Sequence, residues 1–188
     1  MASQGISLQI KVESQAPNQR RTTIVLPGGA AEIVSGFDGK KAWRSIPGQG
    51  VVELTGDEAA LAQEEAHYWE LLEASKVYKQ LELNGEEIVA GEPCHRLVAT
   101  TTAGKAHTFY FSKKSGLMLR RDGEAPMPDG TMAPTETYYE GYADKDGMKI
   151  ALKVRRAKPE SFAFVYATSV VKHNQPMPAT RFQKPETK

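Results

Sequence analysis

A chain of 188 residues, 40% hydrophobic and 25% charged, has the size and composition of one globular domain with its own core. Lys and Arg number 24 against 23 Asp and Glu, a net charge of +1, which gives no electrostatic case for nucleic acid. The single cysteine, Cys94, excludes an intrachain disulfide, and no apolar run approaches the roughly 20 residues of a membrane helix.

Ile6 to Val12 alternates apolar and polar residues strictly, the period of a strand with one face buried. Ala16-Pro17-Asn18-Gln19 turns the chain into a strand over Arg20 to Leu26, and Pro27-Gly28-Gly29 turns it again into one near Ala31 to Phe37. Asp38-Gly39 is a hairpin signal, followed by a short strand at Lys41 to Arg44. Val51 to Leu54 then leads into the helix.

Thr55 to Ser75 reads as the one substantial helix, with its body over 57–75. Thr55 and Glu58 have the spacing of a capping box. At about 100° per residue, Leu61, Tyr68 and Leu72 form a stripe flanked by Trp69 and Leu71. Covering those side chains with a sheet face contributes roughly 1.5–3 kcal/mol each. Glu65 projects into the same arc. Two readings stand for it: a carboxylate at a cavity mouth or paired with an Arg as a lid, or an edge residue whose head reaches water.

Beyond the helix, Val77 to Leu83 alternates, and Asn84-Gly85 predicts a hairpin to Glu86 to Ala90. Cys94 to Thr102 and His107 to Ser112 pair around Gly104-Lys105, with Phe109 and Phe111 on one face and Tyr110 on the other. Leu117 to Arg121 follows. Gly123 to Pro134 reads as an irregular connection that its three prolines keep out of a central strand, either an apolar lip over a site or a solvent loop. Thr135 to Tyr142, Met148 to Arg156 and Ser161 to Lys172 complete the strands, and Phe182 anchors the tail. About ten strands in up-and-down order predict a mainly β fold, a curved, unclosed antiparallel barrel with one amphipathic helix on its concave face.

The chemistry-bearing residues do not converge. The four histidines stand apart with no zinc-ligand spacing. Cys94 and His95 are adjacent and therefore point to opposite faces of a strand. No nucleophile elbow or phosphate-binding loop is present. Asp144-Lys145-Asp146-Gly147 starts like a calcium loop but lacks the later ligands, so it reads as a hairpin. The doublets Arg20-Arg21, Arg120-Arg121 and Arg155-Arg156 lie on strands, either as solvated outer faces or with one Arg pairing with Glu65.

Laid out in this order, Ala16-Pro17-Asn18-Gln19-Arg20, Gly36-Phe37-Asp38-Gly39-Lys40-Lys41-Ala42-Trp43, the hairpin Phe109-Tyr110-Phe111 to Ser115-Gly116-Leu117, Tyr139 to Gly147 and the ending His173-Asn174 to Phe182-Gln183-Lys184-Pro185 resemble the superfamily of outer-membrane lipoprotein carrier and sorting proteins, the LolA/LolB-like fold. The sequence departs from that pattern at Ser112, where Asp is usual, and at Ala151, where Pro is common. Carriers of the full type also place a helix ahead of the first strand.

The resemblance implies a non-enzymatic binder of the periplasm, one LolA-like domain over 1–188 with an irregular tail at 176–188. It implies an apolar lining of Trp43, Leu61, Tyr68, Trp69 and Leu72 with Phe109 and Phe111 from the sheet. The expected partners are a lipid or lipoprotein acyl chain and a membrane-associated protein, with no cofactor and no metal. The opening Met-Ala-Ser-Gln-Gly has no basic start and no apolar h-region, so a periplasmic location expects a signal peptide or preceding region outside these residues. The alternative is an accessory protein-interaction module of a larger secreted protein, with a filled core.

Overall fold

The computed structural model describes residues 8–102, 104–126, 131–157, 163–178 and 180–186. Among these the chain forms twelve strands and two α-helices. They fall into two compact units, one of 8–73 with 176–186 and one of Ala74–Gln175. The fold is mainly β, and the sheets are curved, antiparallel and unclosed.

In the first unit, β1 (Gln9–Gln15), β2 (Gln19–Val25), β3 (Glu32–Phe37), β4 (Ala42–Ile46) and β5 (Gly50–Glu53) pair in chain order. The first strand runs later than the sequence pattern predicts, and Ile6 and Ser7 lie outside the described residues. The Asp38-Gly39 hairpin forms as expected. Asp38 Oδ1 accepts from the backbone N–H groups of Lys40 and Lys41 at 2.8 Å, while Gly39 takes φ +101°, a conformation that favours glycine.

The pairing register sorts this sheet into two faces. Val12, Thr22, Ser35, Arg44 and Val52 form one row, beside the row Ile10, Ile24 and Ile33. Glu13, Arg21, Gly36, Trp43 and Glu53 form a row on the opposite face.

On that second face Trp43 is fully buried. Its indole lies across Gly36, where a Cβ would stand 2.6 Å from Cζ2. Its Nε1–H donates to the carbonyl of buried Phe182 at 2.9 Å, and the Arg21 guanidinium sits 6.0 Å above the ring. The tail is clamped beside it, with Arg181 donating to Glu13 from Nη2 at 2.5 Å and from Nε at 3.1 Å.

Burial raises the Glu13 carboxyl, but hydrogen bonds from Arg181 and Lys11 outweigh it and hold the pKa below its ordinary value. A depressed carboxylate contributes stability above its unfolded pKa, about 4.3, and loses it as the pH falls through the lower folded value. The tail of the native protein is therefore expected to loosen below about pH 4, read as faster amide exchange at Phe182. Glu13→Gln should flatten that acid dependence; an unchanged profile would remove Glu13 as its source.

The helix α1 (Gly56–Ala66) is shorter than its sequence pattern predicts. The cause is tertiary. A continuing helix would send the Tyr68 N–H to the Glu64 carbonyl, but it donates to the Pro17 carbonyl at 3.0 Å instead, and His67 takes an extended ψ of 108°. Residues 68–73 form turns, so Tyr68, Trp69, Leu71 and Leu72 lie off the helix.

The capping box does not form either. Thr55 makes no side-chain cap, and the Glu58 carboxylate, in place of reaching back to Thr55, accepts from Arg44 Nη1 at 2.9 Å. The stripe that packs on the sheet is Ala59, Ala62 and Ala66, against Phe37, Ala42 and Leu54. Small side chains at that spacing let the helix lie close.

In the second unit, α2 (Ala74–Val77) precedes β6 (Tyr78–Val89), β7 (Glu92–Thr101), β8 (Ala106–Ser112), β9 (Met118–Pro126), β10 (Met132–Lys145), β11 (Met148–Ala157) and β12 (Ala163–Ala167). These strands also pair in chain order. Asn84-Gly85 is a bulge, not a turn. The register steps from Leu83↔Leu97 to Glu86↔His95, so two residues oppose Arg96, whose Nη1 bonds Asn84 Oδ1 at 2.6 Å. The hairpin turns at Ala90-Gly91, both at positive φ.

The expected irregular connection at 123–134 is mostly strand. Met132, Ala133 and Pro134 pair with Pro126, Ala125 and Glu124. Pro134 is accommodated because the described pairing of β10 with β11 begins only at Glu136. Met127 lies outside the described residues. The last strand ends at Ala167, earlier than its sequence pattern predicts.

Candidate ligand-binding site

Among the described residues, the α1-bearing face of the first unit is covered at one end only. The helix protects Phe37 and Ala42, while Ile10, Val12 and Val52 on the same face remain 38%, 49% and 47% exposed. Leu8 extends the exposed set, and Ile24 and Ile33 are partly exposed. Singly exposed apolar residues are common, but a contiguous set on a core-facing sheet surface marks a binding face. Arg44 and Glu58, 2.9 Å apart, tie the helix to the sheet beside it.

The segment after α1 reaches the end of the same sheet. Its link from Tyr68 N–H to Pro17 places it at the β1–β2 turn. There Tyr68 and Trp69 form an edge-to-face pair with centroids 5.6 Å apart, and both rings are half-exposed.

Of the residues expected to line a cavity, Leu61 is partly buried on α1, Tyr68 and Trp69 pair as described, and Leu72 is 86% exposed. Trp43 lies on the opposite sheet face under Phe182. Glu65 is exposed on α1.

Phe109 and Phe111 belong to the second unit. Buried Phe109 packs with Tyr78 and Ala99, with Phe111 and Met118 at the margin. The Arg121 guanidinium lies 5.3 Å from the Phe109 ring.

The other face of that sheet carries a ladder of charge and aromatic rings. Arg120 donates to Asp122 at 2.6 Å and to Glu136 at 2.7 Å, and sits 4.8 Å over Tyr110. Arg155 stacks 3.9 Å over Tyr138. Burial lowers the Arg120 pKa, but the Asp122 carboxylate more than reverses it, so the guanidinium is held charged. The doublets of this unit thus split between faces, and Arg120 and Arg155 stack on tyrosines.

The remaining chemistry is dispersed. Burial pushes the Cys94 thiol up, away from thiolate character. Cys94 pairs with Ser112 and His95 with Phe111, on opposite faces. His173 Nδ1 lies 3.0 Å from Asp146. The Asp144 to Gly147 segment is a hairpin tip in which Asp144 accepts from the Gly147 N–H. Among the described residues no group of three or more His, Cys, Asp or Glu could hold a metal ion.

Sequence reasoning missed Ile24, Ile33 and Val52 as candidates. Their signal was the strict alternation of β1, which requires a matching apolar row on the next strands, together with a helix too short to cover all of it.

No protein-family model matches the chain, and no curated protein matches it. Solved structures do. A LolA superfamily protein of Nitrosomonas europaea matches over 94% of this chain and 81% of its own, with TM-score 0.66 and 15% identity. A DUF1329 family protein of Desulfovibrio piger matches over 93% and 79%, with TM-score 0.61 and 19% identity. A domain classed with outer membrane lipoprotein-sorting proteins, from Vibrio parahaemolyticus, matches over 89% and 79%, with TM-score 0.54 and 10% identity. At these identities the likeness speaks to architecture, and its conclusion is that this chain has the fold of the LolA superfamily proteins.

Proposed function

We propose that the chain acts as one domain, a non-enzymatic binding protein of the periplasm that holds a lipid, a lipoprotein acyl chain or a similar apolar ligand. The observation that carries this reading is the exposed apolar set on the α1-bearing face, the row Ile10, Ile24 and Ile33 with Val12 beside it, and Val52 on β5 beyond Thr22, Ser35 and Arg44. Trp43 is the scaffold behind the sheet, and Leu61 on α1 with Tyr68 and Trp69 at the β1–β2 turn would stand at the end of the face where a ligand enters. The fold shared with an outer membrane lipoprotein-sorting domain supports the choice of ligand. Apolar sites of this kind bind through area and shape with few polar contacts.

Native mass spectrometry of freshly purified protein should show an added lipid mass. Val52→Glu, at a half-exposed position the fold tolerates, should weaken an apolar fluorescent probe. Covering a valine contributes about 1.5–3 kcal/mol, so the loss should be about tenfold or more. A bare protein mass together with no probe binding would refute the reading.

A second reading, an accessory interaction module, is favoured by β6, an edge strand on which Leu81, Leu83 and Ile88 are exposed. Its signature is a tight protein complex through that edge in a protein that takes up no apolar probe.

A further inference from the structure

We propose that the ligand is a long-chain carboxylate, a fatty acid, and that Arg20 holds its head. This rests on the apolar-binding reading and names the chemistry of what is bound. By register Arg20 stands opposite Ser14 and Phe37. As the strand alternates it shares the face of Thr22 and Ile24, the face on which α1 packs.

The other arginines of this unit are engaged. Arg44 holds Glu58, Arg181 holds Glu13, and Arg21 reaches the Arg181 carbonyl and lies over Trp43. Arg20 is only partly exposed, its Nε–H is buried with no hydrogen-bond partner, and no carboxylate among the described residues pairs with it. The Nε–H is closed off, but the two Nη groups are neither buried nor hydrogen-bonded among the described residues, and that planar edge of the guanidinium matches the two oxygens of a carboxylate.

The surroundings fit one alkyl chain. From Ser14, opposite Arg20, the β1 side of the face runs through Val12 and Ile10 to Leu8, all three exposed. Six residues of strand span about 20 Å, the reach of a long single chain. At the Arg20 end, the tie between Tyr68 and Pro17 brings the Tyr68–Trp69 ring pair to the same turn. A cation at one end and an apolar row leading away from it is the complement of an anionic amphiphile.

The test uses cis-parinaric acid and its methyl ester, which differ in charge at the head, titrated into the intact protein at pH 8 and read by fluorescence. The acid should bind about tenfold tighter than the ester. Arg20→Gln should abolish that preference by weakening the acid while leaving ester affinity within about twofold, which also certifies the fold of the variant, and Arg20→Lys should retain part of it. Equal binding of acid and ester by the native protein, or equal loss of both in Arg20→Gln, overturns the role of Arg20 and leaves the apolar-binding reading standing. Failure of both probes to bind the native protein overturns both.

Discussion

Trp43→Ala is expected to destabilise the first unit by about 3–5 kcal/mol, the range for removing a large buried aromatic. The indole is fully buried, fills the notch left by Gly36, and carries the hydrogen bond that fixes the Phe182 carbonyl. Removing it opens a cavity and frees the tail together. Trp43→Phe separates these effects, since much of the volume returns while the carbonyl stays unsatisfied, an intermediate loss of about 1–3 kcal/mol. Urea unfolding followed by the remaining fluorescence of Trp69 measures both, and a Trp43→Phe protein as stable as the native one would disprove a structural role for the indole N–H. Gly36→Ala should act on the same contact from below, because the new methyl overlaps the ring.

Phe109→Ala is expected to cost the second unit about as much, about 3–5 kcal/mol. Its ring is 1% exposed and has Tyr78 edge-on at 5.8 Å, Phe111 at 6.3 Å and the Arg121 guanidinium at 5.3 Å. The substitution removes apolar volume from under a cation, and Arg121 loses the aromatic face that half-solvates it. Near-UV circular dichroism during urea unfolding reads the change. A shift below about 1 kcal/mol would show that neighbouring side chains collapse into the space. Phe111→Ala, at a partly exposed position, should cost less.

Much of the fold was legible because strand alternation and turn chemistry are local. The part of the first strand over 9–12, the Asp38-Gly39 hairpin and the Cys94/His95 face split follow directly from period two and positive φ. The misreadings share a cause, a distant partner overriding a local preference. Asn84-Gly85 has the residues of a tight turn, yet the register with β7 uses them as a bulge gripped by Arg96. The aromatic end of the helix pattern unwinds because the Tyr68 N–H has a better-placed acceptor at Pro17.

The candidate site was less legible for a related reason. Aromatic residues drew attention as lining, but Trp43 proved to be packed on the reverse face by a residue 139 positions away. Spacing along a chain cannot report such a neighbour. The plain isoleucines of β1, β2 and β3 form the open row, with Val12 beside it, and only the strand register brings them together.

The bond from Trp43 to Phe182 also sets an order of events in the cell. A nascent chain emerging from the ribosome displays β4 long before the residues that shield its indole have been joined. During that interval a greasy ring stands open to chaperones and proteases. A stop codon a few residues before Phe182 would spare every strand, yet leave that vulnerability permanent.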